Sequence, residues 1–287
     1  MISKINSLSL GLCLAIFFYL GFISTNLSSE EIKILVYNTH GLPAVFAGDD
    51  PEERFPLIGE KIKSYQLSLL QEDFAHHELL LKSLNEGSVA LRGNTNNKPF
   101  CPFCSGSGLT MISNLEKEWQ IDIQSEAFNT CSGWLEGLND CFATKGLQLA
   151  RIKTPSGKYL HILNTHLDAG RDTSDLRARA EQLNQILAKV KKEIPGEALI
   201  VAGDLNLRRN DPEDSSLLEA FMEDLDLTDS VRGVHFERGW PVLDYILYRN
   251  GRNINLEVLE VGEDTDFQSE KGPLSDHPAL FIRLLIY

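Results

Sequence analysis

Residues 198–206 read ALIVAGDLN. The first five are an unbroken apolar run that ends on Gly203, Asp204 and Asn206. A short apolar run closed by turn formers is the pattern of a strand buried on both faces. A carboxylate and an amide then leave the strand at its C-terminal end, where a buried strand fixes the position of functional groups. Gly, Asp and Asn also make ordinary turns. The segment therefore gains weight from other apolar runs that finish in the same way.

Upstream, residues 31–37 predict a first strand that ends on Asn38-Thr39-His40-Gly41, and residues 67–70 a second that ends on Gln71-Glu72-Asp73. Residues 147–152 and 159–163 form a hairpin around Pro155-Ser156-Gly157, and its second arm ends on Asn164-Thr165-His166-Leu167-Asp168. Residues 108–113, 121–128, 242–248, 256–261 and 279–286 are further strands, the last entered through Ser275-Asp276-His277. Helical spacing links Phe55, Ile58, Ile62 and Tyr65 behind an N-cap at Asp50 and Pro51. It recurs over residues 76–84 and 215–225, and at Leu176, Ala180, Leu183, Ile186 and Val190 ahead of Pro195-Gly196. Residues 92–108 and 129–146 have no period. This order implies one α/β domain, with two mixed sheets packed together and covered by helices.

The chain has 287 residues, 43% hydrophobic and 24% charged, which is ordinary for a globular protein. Its net charge is −14, and beyond residue 29 the balance is 26 basic against 41 acidic residues. Proteins that grip a nucleic-acid backbone carry a basic excess, so this balance argues against nucleic acid as a partner. Residues 1–29 read as a signal peptide: Lys4, an apolar stretch over 8–23 broken only by Ser9, then Ser24, Thr25, Ser28 and Ser29. A membrane span needs about 20 apolar residues, so a retained N-terminal anchor is the alternative. The expectation is a secreted or periplasmic protein whose catalytic domain occupies residues 30–287. Export leaves Cys101, Cys104, Cys131 and Cys141, enough for two disulfides with three pairings, or a Cys101–Cys104 redox or zinc pair. The pairing expected is Cys131 with Cys141 and Cys101 with Cys104.

Asn38, Glu72, His166 with Asp168, Asp204 with Asn206, Asp244, and Asp276 with His277 all stand beside apolar runs. Two sheets packed face to face would gather these groups on one rim. Carboxylates and an amide oxygen suit a hard cation such as Mg²⁺. A His preceded by Asp suits a general base close to a metal. Each residue also has a plainer reading: His166 as a structural histidine, Asp244 as an Arg partner, Asp276-His277-Pro278 as a turn.

Asn38, Glu72, NTH at 164–166, GDLN at 203–206 and SDHPAL at 275–280 together resemble the endonuclease/exonuclease/phosphatase superfamily. YNTHGLP at 37–43, ERFPLIGEKI at 53–62, SGSGLTMIS at 105–113 and DCFATKG at 140–146 resemble the neutral sphingomyelinases within it. The resemblance implies a DNase I-like four-layer sandwich and cleavage of phosphate esters with Mg²⁺, or Mn²⁺ or Co²⁺ in its place. For the sphingomyelinases the substrate is sphingomyelin, split to ceramide and phosphocholine at a membrane surface by a monomer. The same resemblance assigns Glu72, Asn38 and Asp276 to the metal and makes His277 the base, oriented by neighbouring carboxylates, with Asp244 a further catalytic candidate. Asp204 positions the water, Asn206 and His166 donate to charged oxygens, and Lys145 adds positive charge. Asp140 and Lys145 lie in a DxxxxKG segment tied in that family to lipid-dependent activation. The competing readings are a phosphodiesterase for another phospholipid or small phosphate ester, a secreted DNase-like nuclease, and a binding module without catalysis.

Overall fold

The computed structural model of the protein describes residues 29–42, 48, 50–95, 106–133, 141, 143–234 and 243–287. The signal segment, Cys101, Cys104 and Asp140 lie outside them. Two six-stranded mixed sheets pack face to face. The first takes strands β1 (Glu30–Asn38), β2 (Leu67–Gln71), β3 (Val89–Arg92), β4 (Thr110–Ser113), β11 (Leu256–Glu263) and β14 (Leu280–Ile286), in the order β11-β14-β1-β2-β4-β3. The second takes β5 (Gln120–Ala127), β6 (Gly146–Lys153), β7 (Tyr159–His166), β8 (Leu199–Asp204), β9 (Thr228–Asp229) and β10 (Asp244–Arg249), in the order β5-β6-β7-β8-β10-β9. A small hairpin, β12 (Gln268–Ser269) with β13 (Gly272–Pro273), precedes the last strand.

Side chains alternate across a strand, so every second residue faces the other sheet. Ile32, Ile34 and Val36 of β1, Ile162 of β7, Ile200 and Ala202 of β8, and Ile246 of β10 form that shared core. The opposite faces carry the helices. Leu35, Tyr37 and Leu70 pack on α1 (Pro51–Ile62) and α2 (His77–Leu81), through Phe55, Ile58, Ile62 and Leu80. Leu163, Leu199, Val201, Tyr245 and Leu247 pack on α3 (Thr173–Glu193) and α4 (Pro212–Leu225), through Leu183, Ile186, Phe221 and Leu225. Helices, sheet, sheet and helices make the expected four layers. The run 198–202 is apolar throughout because β8 is buried on both faces.

The differences from the expected elements have local causes. β7 runs on through His166, because Thr165 and His166 pair with Gly203 and Asp204. Gly203 is inside β8 and not in a turn: its φ is +133°, and a Cβ there would lie 2.0 Å from Thr165 O. The second helix is shorter than residues 76–84. Asp50 holds the N-cap position of α1 without a side-chain cap, whereas Asp211 caps α4 by accepting from the backbone N–H of Glu213 and Asp214. That cap starts α4 three residues earlier than its apolar period indicated. Strand β3 was not anticipated, because its four residues are partly exposed and lack alternation. Cys131 and Cys141 are joined by a disulfide, Cα to Cα 5.3 Å. Among the described residues no helix is long and apolar enough to cross a membrane.

Candidate active site

The alternation that builds the core also delivers the site. Asn38 follows Ile34 and Val36 as the last inward position of β1, and Asp204 follows Ile200 and Ala202 on β8. His166 ends the same row of β7, and Asp244 opens that of β10. Register then aligns them, since Asp204 is paired with His166 on one side and Asp244 on the other. Below this rim lies a buried polar layer. Gln71 donates to Asn164 Oδ1 at 2.7 Å, and Asn164 donates to Gln148 Oε1 at 3.2 Å and Leu70 O at 3.1 Å. It lies between the charged rim and the apolar core and pairs most of its own polar atoms, Gln71 Oε1 excepted.

At the centre, His277 Nδ1 lies 2.8 Å from Asp244 Oδ2, and its Nε2 lies 3.7 Å from Asp204 Oδ2. Asp204 Oδ2 accepts from Asn38 Nδ2 at 3.1 Å, and Asp204 Oδ1 accepts from the Asn206 backbone N–H at 2.9 Å. Asn38 Nδ2 also donates to Glu72 Oε1 at 3.2 Å, which links the two sheets through one amide. His166 Nε2 is 3.2 Å from Lys145 Nζ, 3.5 Å from Asp204 Oδ2 and 3.9 Å from Glu72 Oε1. Lys145 Nζ and Asn206 Nδ2 both donate to Leu167 O, at 2.8 and 3.1 Å. Asn38, Glu72, Lys145, His166, Asp204, Asn206, Asp244 and His277 thus form one connected group. Asp276 joins it at the edge: its carboxylate, half exposed, is 3.3 Å from His40 Nδ1.

The electrostatics divide the histidines. Burial would pull His277 down, but Asp244 and then Asp204 outweigh it and hold the imidazole well above the usual histidine range. His166 goes the other way, well below that range, through burial and then the charges of Lys145 and His277. It is therefore neutral, with Nε2 facing an ammonium, and the positive charge at that point belongs to Lys145. Burial raises Asp204 to about 7, with His277 opposing and Asp244 assisting.

Asp204, Asp244 and His277 bring their ligand atoms within 4.8 Å of one another, a cluster compact enough for a cation. The pairing of Asp244 with His277 Nδ1 instead reads as an oriented base. Glu72 Oε2 and Asp244 Oδ1 are both buried oxygens that accept no hydrogen bond, so each could face a cation. A divalent cation fits an oxygen-rich rim that leaves a carboxylate oxygen unpartnered.

His40, Glu72 and Asn206 have φ of +49°, +54° and +52°. Left-handed backbone at a non-glycine residue costs of order 1–3 kcal/mol and persists where its surroundings impose it. All three lie at the site. His40 was not singled out in the sequence; a histidine after a strand carries no mark of its own, and its placement 3.3 Å from Asp276 and 4.0 Å from Glu72 Oε2 brings it in. Two acids of similar sequence context fall elsewhere. Asp73 Oδ2 accepts from Thr110 Oγ1 and Arg92 Nη1 and lies 2.6 Å from His77 Nδ1. Asp168 accepts from the Ser132 N–H and Gln182 Nε2, fastening the disulfide segment to α3.

A family model described as Endonuclease/Exonuclease/phosphatase family 2 matches residues 108–233. Sphingomyelinases of Mycobacterium bovis and Mycobacterium tuberculosis are 28% identical over 279 residues, 90% of this chain and 54% of theirs. The chain spans about half the length of these curated relatives. Sphingomyelinase C from Streptomyces griseocarneus superposes with a TM-score of 0.67 at 19% identity, covering 88% of this chain and 99% of that one. A beta toxin variant from Staphylococcus aureus with bound magnesium ions gives 0.61 at 20% identity, covering 90% and 99%. The fold, the rim and these likenesses agree: the chain is similar to members of the endonuclease/exonuclease/phosphatase family, sphingomyelinases among them.

Proposed function

We propose that the protein is a Mg²⁺-dependent phosphodiesterase that hydrolyses sphingomyelin to ceramide and phosphocholine. The observation that carries the reading is the Asp244–His277–Asp204 chain beside Asn38 and Glu72. It is a base held by one carboxylate and facing a second, next to a buried Glu72 oxygen that accepts no hydrogen bond. The lipid is inferred from the likeness to proteins named sphingomyelinases.

Asp244 holds His277 Nδ1, which leaves Nε2 to take a proton from water. Asp204, 3.7 Å from Nε2, borders the place where that water would sit. The water oxygen attacks phosphorus, the bond from phosphorus to the ceramide oxygen breaks, and the leaving alkoxide takes a proton from solvent while His277 later returns its own to solvent. Lys145 brings a buried positive charge toward the phosphate. Asn206 spends one amide hydrogen on Leu167 O, which orients the group, and keeps the second for an oxygen of the transition state. A divalent cation held by Glu72, with Asn38 and Asp276 beside it, supplies further charge against the phosphate and the leaving oxygen. Asp140 completes the activation segment with Lys145 in this reading.

Phosphocholine release from sphingomyelin vesicles tests it, run beside a panel of other phospholipid headgroups, a soluble diester and supercoiled plasmid. Activity on sphingomyelin that is lost in EDTA and restored by Mg²⁺ is expected. Preference for another headgroup would move the substrate, and plasmid nicking in place of lipid turnover would make the protein a nuclease.

A further inference from the structure

Arg54 lies one turn into α1 and is only 7% exposed. Its guanidinium bridges two loops whose sequence positions are more than two hundred residues apart. Nη1 donates to Thr39 O at 3.0 Å and to Leu274 O at 2.6 Å, and Nη2 donates to His40 O at 2.9 Å. The first loop begins at Asn38, which touches both Glu72 and Asp204. The second carries Asp276 and His277. Strands β1 and β14 are antiparallel neighbours, with Val36 opposite Leu280, so both loops leave the sheet at the same edge. There the carbonyls of Asn38, Thr39, His40 and Leu274 crowd together. Oxygens gathered like this need donors between them. Ser275 Oγ supplies Asn38 O at 2.7 Å, and Arg54 supplies the other three.

We infer that Arg54 is a positioning residue for catalysis: its guanidinium fixes the distance between the Glu72–Asn38 side of the site and the base His277. This rests on the function proposed above. The three hydrogen bonds described here all go to backbone carbonyls, so Arg54 acts through the loops it holds. A planar fork suits the task, because Nη1 spans the two loops while Nη2 holds a third carbonyl, that of His40, in a fixed direction. An ammonium can reach the pair of carbonyls that share Nη1 but not the third. The geometry also accounts for the left-handed His40, whose carbonyl is turned to Nη2 while its ring meets Asp276.

The test compares wild type, Arg54→Ala and Arg54→Lys by steady-state hydrolysis, thermal melts and proton NMR of the His277 ring N–H against Asp244. A misplacement of order 1 Å between reacting groups costs about 10²-fold. Arg54→Ala should lose about that much in kcat, with KM within about threefold, and should shift or broaden the ring N–H signal. Arg54→Lys should recover part of the loss. A folded Arg54→Ala protein with kcat within threefold of wild type, or an unchanged ring signal, overturns the inference. Should Arg54→Ala not fold, Arg54→Lys decides by the same two readouts; failure of both to fold overturns it too, since Arg54 would then serve the fold and not the site. The NMR arm needs no turnover. Inactive wild type therefore counts against the proposed function alone, while the ring signal still judges Arg54.

Discussion

His277 meets Asp244 through Nδ1 and faces Asp204 through Nε2, so its removal strips out the proton acceptor without touching the core. His277→Ala should lower kcat by about 10²–10⁴-fold and also lower the melting temperature, because it leaves the buried Asp244 carboxylate without its partner; a loss under tenfold in phosphocholine release would give the proton to another group. The pH dependence follows from the raised imidazole. Burial opposes its charge, but Asp244 and Asp204 favour it, so without a cation the neutral base forms only above the usual histidine range. kcat/KM therefore rises with pH through that raised value. Stability runs the opposite way: the contribution is full below the unfolded-state value, about 6.5, and is lost as pH rises through the folded one. Asp244→Asn removes the stronger of the two attractions and should move the acid limb of the pH–rate profile to lower pH. A limb that stays in place would detach it from His277. Lys145 offers a similar contrast. A surface ion pair is worth about 0–1 kcal/mol and has no bearing on rate, but Lys145 is buried against His166. Lys145→Ala should cut kcat in both micelles and vesicles while the protein still melts cooperatively; near-normal rates on both would leave Lys145 a structural part.

Single strands carry two of the site's constraints at once. Gly203 combines φ of +133° with a Cβ position 2.0 Å from Thr165 O, in the row next to Asp204. Gly203→Ala should destabilise by more than the 1–3 kcal/mol of backbone strain alone, read as a lower urea midpoint, with activity falling alongside because β7 and β8 must part. A wild-type midpoint would show that the contact relaxes without cost. This glycine was legible as part of GDLN, but as a turn former; its close approach to β7 depends on strand pairing that spacing does not encode. The same holds for Asp244 and His277, 33 positions apart. Their residue types signalled acid–base chemistry, whereas their contact required the two sheets to pack, since Asp244 opens β10 of one and His277 leads into β14 of the other. Asp73 and Asp168 show the converse. Both follow strands as Glu72 and Asp204 do, yet one meets Arg92 and Thr110 and the other Ser132 and Gln182. Nothing local to an acid tells whether a distant partner will neutralise it.

Across the molecule the sandwich was readable, because alternation and fully apolar runs report which faces are buried. The layer of Gln71, Asn164 and Gln148 was not, since polar residues near strand ends look alike whether they face water or one another. Glu72 belongs to one sheet and Asp204 to the other, joined by Asn38. A cation bound at Glu72 should therefore stabilise the packed pair of sheets. At a hundred times its dissociation constant Mg²⁺ should contribute about 2.7 kcal/mol, seen as a raised melting temperature that EDTA reverses. Glu72→Gln should abolish that rise and lower activity by orders of magnitude; a rise that survives the substitution would locate the cation elsewhere.

Core and site occupy one face of the same strands, and this has a consequence for how the protein can fail. A slip of one residue in β8 would turn Ile200 and Ala202 away from the opposing sheet and Asp204 away from His277 in a single move. The chain has no way to misalign its strands and remain a weak catalyst. At saturating cation, turnover would thus gauge correct strand alignment: misaligned molecules would lower specific activity by dropping out and not by working slowly.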